Sequence, residues 1–231
     1  MASVLFTPPT LGTNLALTGL PGGGSKIHDR SPYGNHGALI GATWKRLPSG
    51  LWVLRFDGTD DYVSVPDHES FSNPGSQLTV IIWALRDVVG SYHTLIGNFW
   101  DATGRAYYIN ISSTNKASFS VGTGGGTGPE AKSITGSTSI PAGAYYQIAG
   151  VYDGVNLRLF VNALSDATPV AQTGNVYNGT LPLFIGAYQN IGSPADFHKG
   201  EIALPRIYNR ALSALEIQNR FNREKHFFGV W

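Results

Sequence analysis

From about residue 38 to residue 208, apolar and polar residues alternate with a period of two, in short runs broken by glycine- and aspartate-bearing turns. A chain patterned this way hides its apolar side only by pairing strands and stacking the resulting sheets. LWVLRF (51–56) and YVSV (62–65) flank DGTDD, where Asp57-Gly58 supplies a turn of the kind that makes hairpins. LTVIIWALR (78–86) is apolar on both sides, with Leu78, Val80, Ile82 and Ala84 on one and Ile81, Trp83 and Leu85 on the other. Such a strand belongs at the centre, one side against a partner sheet and the other under loops. YYQIAGVY (145–152) and VNLRLFVN (155–162) meet at Asp153-Gly154, which predicts a hairpin. PLFIGAY (182–188) and GEIALPRIY (200–208) complete the strand set, and Pro205 predicts an edge or a bulge because it has no amide to donate. One helix is expected: Ser213 and Glu216 form a capping box, with Leu215, Ile217 and Phe221 as its packing side and an end near Lys225.

The fold class is therefore all-β, a two-sheet antiparallel sandwich with one short C-terminal helix. Its organisation reads as an N-terminal arm (1–26), one domain (27–225) and an exposed aromatic tail (226–231). A length of 231 residues suits a single all-β domain that needs no cross-links. With no cysteine, disulfides, thiolate metal sites and cysteine nucleophiles are excluded. Charged residues make up 13%, and Lys+Arg 16 against Asp+Glu 15 leaves no basic stripe for phosphates, so nucleic acid is not an expected partner. The longest apolar runs are too short for a membrane-spanning helix. The first residues lack a basic segment, and prolines interrupt any apolar run, so no secretory signal is read there.

Six segments then appear in a telling order: HDRSPYGNHGAL (28–39), LRFDGTDDYVSVPD (54–67), LTVIIWALR (78–86), IAGVYDGVNLRLFVN (148–162), LFIGAY (183–188) and RIYNRALSALEI (206–217). Over roughly 27–221 the chain resembles the concanavalin A-like, laminin-G-like jelly-roll domains. That resemblance implies two antiparallel sheets packed face to face, with a concave sheet and rim loops free for carbohydrate or protein. Two departures accompany it. Tyr145-Tyr146-Gln147 stands where relatives carry Trp-His-His, and Ala203 and Leu204 stand where they carry an acidic pair. Related jelly rolls hold calcium with an aspartate near the latter, so the resemblance carries no calcium to this chain.

Glucanases on this fold place catalytic carboxylates at alternate positions of one strand, where period two sets them on one side. No such string exists here: Asp60-Asp61 are adjacent, and Asp67-His68-Glu69 follows Pro66 in a loop. No catalytic residue, metal ligand or cofactor is therefore assigned. Asp57, Asp60 and Asp61 could suit a hard cation, against the simpler reading of aspartates capping their own turn amides. Sugar recognition needs aromatic faces beside amide and acidic groups, and two loops carry that mixture. One contributes Asn98, Trp100, Asp101 and Arg105; the other contributes Tyr188, Gln189, Asn190, Asp196 and His198.

The expected function is a non-catalytic, lectin-like binding or structural module. Its expected setting is a virion, as a capsid decoration or fibre protein of a bacterial virus made in the host cytoplasm. The expected partners there are a capsid protein or cell-surface carbohydrate, in a homo-oligomer with one end of the chain across a neighbour. The alternative is a carbohydrate-binding domain of a secreted glycoside-active enzyme.

Overall fold

Apolar residues on both sides of Leu78–Arg86 need two covering layers, and the computed structural model, which describes residues 12–17, 24–98, 105–124, 131–190 and 193–230, supplies both. The strand is central in a nine-stranded sheet. Its path runs from Leu164–Ser165 through Asn156–Val161, Tyr145–Tyr152, Leu78–Arg86, Lys199–Tyr208 and Trp52–Asp57 to Thr43–Arg46. The opposing eight-stranded sheet runs from Ala131–Ser139 through Lys116–Gly122, Tyr107–Ile111, His93–Asn98, Leu183–Ile185, Tyr62–Val65 and Gly37–Ile40 to Lys26–Ile27. All registered pairs are antiparallel, including the Asp153-Gly154 hairpin, where Asp153 Oδ1 accepts from the amides of Val155 and Asn156.

Between the sheets lie Phe56, Val80, Ile82, Ile109, Phe119, Ile148 and Ile185, each essentially without solvent contact. Their burial is the main driving force for the fold. Contact is close enough that a Cβ on Gly150 would lie 2.3 Å from the Phe119 ring.

The second side of Leu78–Arg86 is covered by the C-terminal helix, Ala214–Glu224, and the 3₁₀ turn Lys225–Phe228 that extends it. The capping box is present: Ser213 Oγ accepts from the Glu216 amide, and Glu216 Oε2 accepts from the Ser213 amide. Ile217 and Phe221 pack inward as expected, whereas Leu215 points to solvent at 65% exposure. The tail is not wholly exposed: Phe228 is buried, and its ring stacks on Trp83 at 4.2 Å. Trp83 Nε1 donates to Glu224 Oε2 (2.8 Å), and Glu224 pairs with Arg206 (2.8 Å) beneath the helix. Trp231 lies outside the described residues.

Pro205 marks a bulge, and it does so inside a central strand. Register slips between Ala203 and Arg206, with Leu204 at φ 49°. At that point the strand changes partners: Lys199–Ile202 pairs with Trp52–Asp57, and Arg206–Tyr208 pairs with Thr13–Ala16. Residues 13–17 of the expected arm are thus part of the sandwich, with Leu15 and Leu17 buried; residues 1–11 and 18–23 lie outside the described residues. A second correction concerns Asp57-Gly58. This turn does not close a hairpin, because Trp52–Asp57 belongs to one sheet and Tyr62–Val65 to the other.

The HDRSPYGNHG motif folds into a knot around Asp29. Its carboxylate accepts from the amides of Ala16 (2.8 Å), Ser31 (2.9 Å) and Asn35 (2.8 Å). Asn35 Nδ2 in turn donates to Asn14 O and Ser70 Oγ. A buried carboxylate is tolerable when amides satisfy it this fully, and the same bonds tie down the first strand.

Candidate functional site

Alternation decides which side chains the eight-stranded sheet turns away from the core. Phe119, Tyr107, Ile185 and Val63 point inward, so their neighbours Ser120, Tyr108, Phe184 and Ser64 point outward. Those outward residues form one register row, Ser133–Ser120–Tyr108–Gly97–Phe184–Ser64. The row is built of hydroxyls and rings. Gly97 lets Tyr108 lie close, since a Cβ there would stand 2.6 Å from Tyr108 Cβ. Tyr62, one step along, packs its ring against Phe184 (4.8 Å) and Phe197 (6.5 Å).

A small hairpin, Tyr188–Asn190 with Ser193–Ala195, stands beside this row. It brings the two nominated loops together. The Tyr188 and Tyr108 rings meet edge to face at 6.0 Å. Burial first, then Tyr108 and the Asp196 carboxylate, push the Tyr188 hydroxyl above its ordinary range, while the Arg105 guanidinium pulls it down. The Arg105 and Asp196 charges thus act on the Tyr188 hydroxyl. Asn190 is exposed at the end of the hairpin. Trp100 and Asp101 lie outside the described residues, as does the side chain of Gln189.

Two nominated residues are interior. Asn98 is 2% exposed at the end of its strand and offers nothing to solvent. His198 is fully buried, its ring against His93 (5.4 Å) and Phe56 (6.0 Å), with Nε2 beside Leu85 O (3.1 Å). Burial, reinforced by His93, lowers its pKa to about 3, so it is a neutral core imidazole and not a ligand contact. Tyr108, Tyr62, Phe184 and Phe197 were not nominated. Their signal was present in the outward phase of the alternation, which Tyr62, Tyr108 and Phe184 share.

The acidic groups read as structural. Asp57, Asp60 and Asp61 bring ligand oxygens within 4.8 Å of one another. Yet Asp61 Oδ2 accepts from the Asp57 amide (2.8 Å) and Asp57 Oδ1 from the Thr59 amide (2.7 Å), which is turn chemistry. Glu201 is buried on the helix side of the nine-stranded sheet, paired with Lys45 (2.7 Å) and bonded by the Tyr145 hydroxyl. Arg55 joins Glu201 to Asp87 and holds the Asp87 carboxyl below its usual range.

A laminin-G-type family model, described as concanavalin A-like lectin/glucanases superfamily, matches residues 57–218. No curated protein matches the chain by sequence. Among solved structures, the fold is similar to the binding domain of Paraclostridial Mosquitocidal Protein 1, with a TM-score of 0.72 at 15% identity over 95% of this chain. It is similar to the binding domain of botulinum neurotoxin DC in complex with SialylT (TM-score 0.70, 13% identity, 92% of this chain). It is also similar to a Trypanosoma rangeli sialidase (TM-score 0.67, 18% identity, 95% of this chain). The chain spans 55%, 51% and 34% of those three chains, and at such identities the likeness is one of fold.

Proposed function

The chain belongs to the concanavalin A-like lectin/glucanase superfamily, and from that premise we propose that it is a non-catalytic carbohydrate-binding module whose ligand rests against the outer side of the eight-stranded sheet. The observation that carries this reading is the convergence of Tyr188, Tyr108, Arg105 and Asp196 from two separate loops and strands. Half-buried rings offer an apolar platform with a polar edge, which suits the C–H faces of a sugar, and neighbouring charged groups take its hydroxyls. Fold neighbours include a toxin binding domain solved with SialylT, and that supports a saccharide as the ligand class. Non-catalysis rests on the carboxylates. Among the described residues, Glu201 and Asp87 are neutralised by Lys45 and Arg55, and no strand carries alternate acidic residues on one side.

The test is a glycan array read with the full chain, followed by calorimetry on any saccharide that binds. Tyr108→Ala and Tyr188→Ala should each weaken binding at least tenfold while circular dichroism stays unchanged. Binding indifferent to both, or no saccharide bound, overturns the reading. Turnover of β-glucans, galactans or arabinans that disappears on replacing one Asp or Glu would overturn the non-catalytic part.

The setting we propose is a virion-associated accessory protein, a decoration or fibre protein of a bacterial virus. Capsid and tail genes beside this one would support it. A longer reading frame carrying a catalytic domain would instead favour a module of a secreted enzyme.

A further inference from the structure

A second feature adjoins the proposed site across Gly122. The Arg105 backbone lies against Gly122 so closely that a Cβ there would stand 1.9 Å from Arg105 O, and the Tyr177 amide donates to Gly122 O (2.9 Å) from the other direction. Beyond Tyr177 opens a cleft of ≈ 900 Å³ between the Thr123–Gly124 turn and the segment 172–178. That volume lies in the range of about 300–1,000 Å³ typical of small-molecule sites.

The segment is braced from beneath. The Tyr152 hydroxyl donates to Gly174 O (2.6 Å), the Val176 amide to Gly75 O (2.8 Å), and Gln172 Nε2 to Thr123 Oγ1 (2.8 Å). Backbone and anchoring side chains are thereby spent internally. The exposed side chains of Asn73, Thr173, Asn175 and Asn178 line the cleft and, among the described residues, make no hydrogen bond. A braced loop presenting unspent amides and a hydroxyl beside one tyrosine ring is preorganised for a polyhydroxylated ligand. Among the described residues, the one charged side chain lining the cleft is Lys132, whose Nζ donates to Ala171 O (3.0 Å). An ammonium has three donors, so two remain for an anion.

We propose that this cleft is a subsite for an acidic saccharide unit, its carboxylate or sulfate at Lys132 and its hydroxyls at Asn175 and Asn178. This rests on the saccharide-binding reading above and assigns its ligand class. The probes are two pairs that differ only in charge: sialyllactose against lactose, and trigalacturonate against its methyl ester. With the full chain, the acidic member of at least one pair should bind about tenfold or more tightly than its neutral partner, and added salt should narrow the gap. Lys132→Gln should abolish the difference, and Asn175→Ala with Asn178→Ala should weaken both members. These positions are exposed, so circular dichroism should show the fold intact. Equal binding of acidic and neutral members overturns the proposal, as does a preference that survives Lys132→Gln. If binding depends on Tyr108 and ignores all three cleft residues, the subsite is wrong and the saccharide module stands. If no saccharide binds, both fall together.

Discussion

The two sheets share one core, yet their outer sides have opposite fates. The nine-stranded sheet turns Trp83, Leu204, Tyr145 and Ile81 outward, too much apolar surface to leave in water, and the C-terminal helix with Phe228 seals it. The eight-stranded sheet turns out Ser64, Tyr108, Ser120, Ser133 and Phe184, a mixture of hydroxyls and rings in which the Ser120 and Ser133 hydroxyls bond each other, and no helix lies across it among the described residues. What separates the sealed side from the one no helix covers is therefore chemistry at alternate positions of strands that otherwise look alike. Sealing also consumes polar groups: Glu224 is committed to Trp83 and Arg206, whereas the cleft amides remain unspent.

The hardest way to break this comparison is Trp83→Ala. It empties the space under Phe221 and Phe228, and truncating a buried Trp costs about 3–5 kcal/mol. Urea unfolding should show that loss. If the two sides are independent, saccharide binding by the remaining folded protein should be unchanged, and a parallel loss of affinity would show that they are coupled.

Acid probes the seam between the sheets. His93 opens a strand of the eight-stranded sheet, and His198 immediately precedes a strand of the nine-stranded one. Both imidazoles are lowered chiefly by burial, His93 further by Arg86 and His198 by His93. Unfolded histidines take up protons near pH 6.5, whereas folded His198 does so only near pH 3. The unfolded state thus binds more protons in that window, and stability must fall as pH drops through it. The slope approaches about 1.4 kcal/mol per pH unit for His198, so roughly 2 kcal/mol should be lost between pH 7 and pH 5. Urea midpoints at the two pH values measure it, and His198→Phe should flatten the dependence; an unaltered slope would assign the loss elsewhere.

Ser213→Ala removes the helix cap on the sealed side and should cost about 1 kcal/mol, seen as a lower thermal midpoint with binding preserved. The smallest effect is expected from calcium. The Asp57–Asp61 turn crosses between the sheets, and millimolar calcium against chelator should leave the midpoint in place. A clear rise would mean that the three carboxylates bind the ion.

Features set by a residue's own chemistry were the legible ones. Asp153-Gly154 specified a hairpin because its side chain satisfies the turn amides locally. Pro205 specified an edge or a bulge because it has no N–H for the ladder, and the strand takes the bulge. Features set by what lies opposite were not. Asp57-Gly58 makes the same turn whether the next strand returns to its sheet or crosses to the other. His198 sits in a loop whose composition reads as polar, and only tertiary packing reveals that it is buried beside Phe56. In the candidate site, Tyr188, Arg105 and Asp196 are the residues that loop composition nominates. Tyr108 and Phe184 were overlooked because period two reports the phase of a side chain and leaves open which phase a helix will cover.

The change of partners at Pro205 also has a temporal side. Thr13 finds its place only opposite Tyr208, so its strand must wait for one made 195 residues later. Pairings this distant in sequence close slowly. Until then Leu15 and Leu17 stay exposed in a nascent chain, and the Asp29 knot, which needs only residues 14 to 70, can hold that segment near its destination while the rest is synthesised.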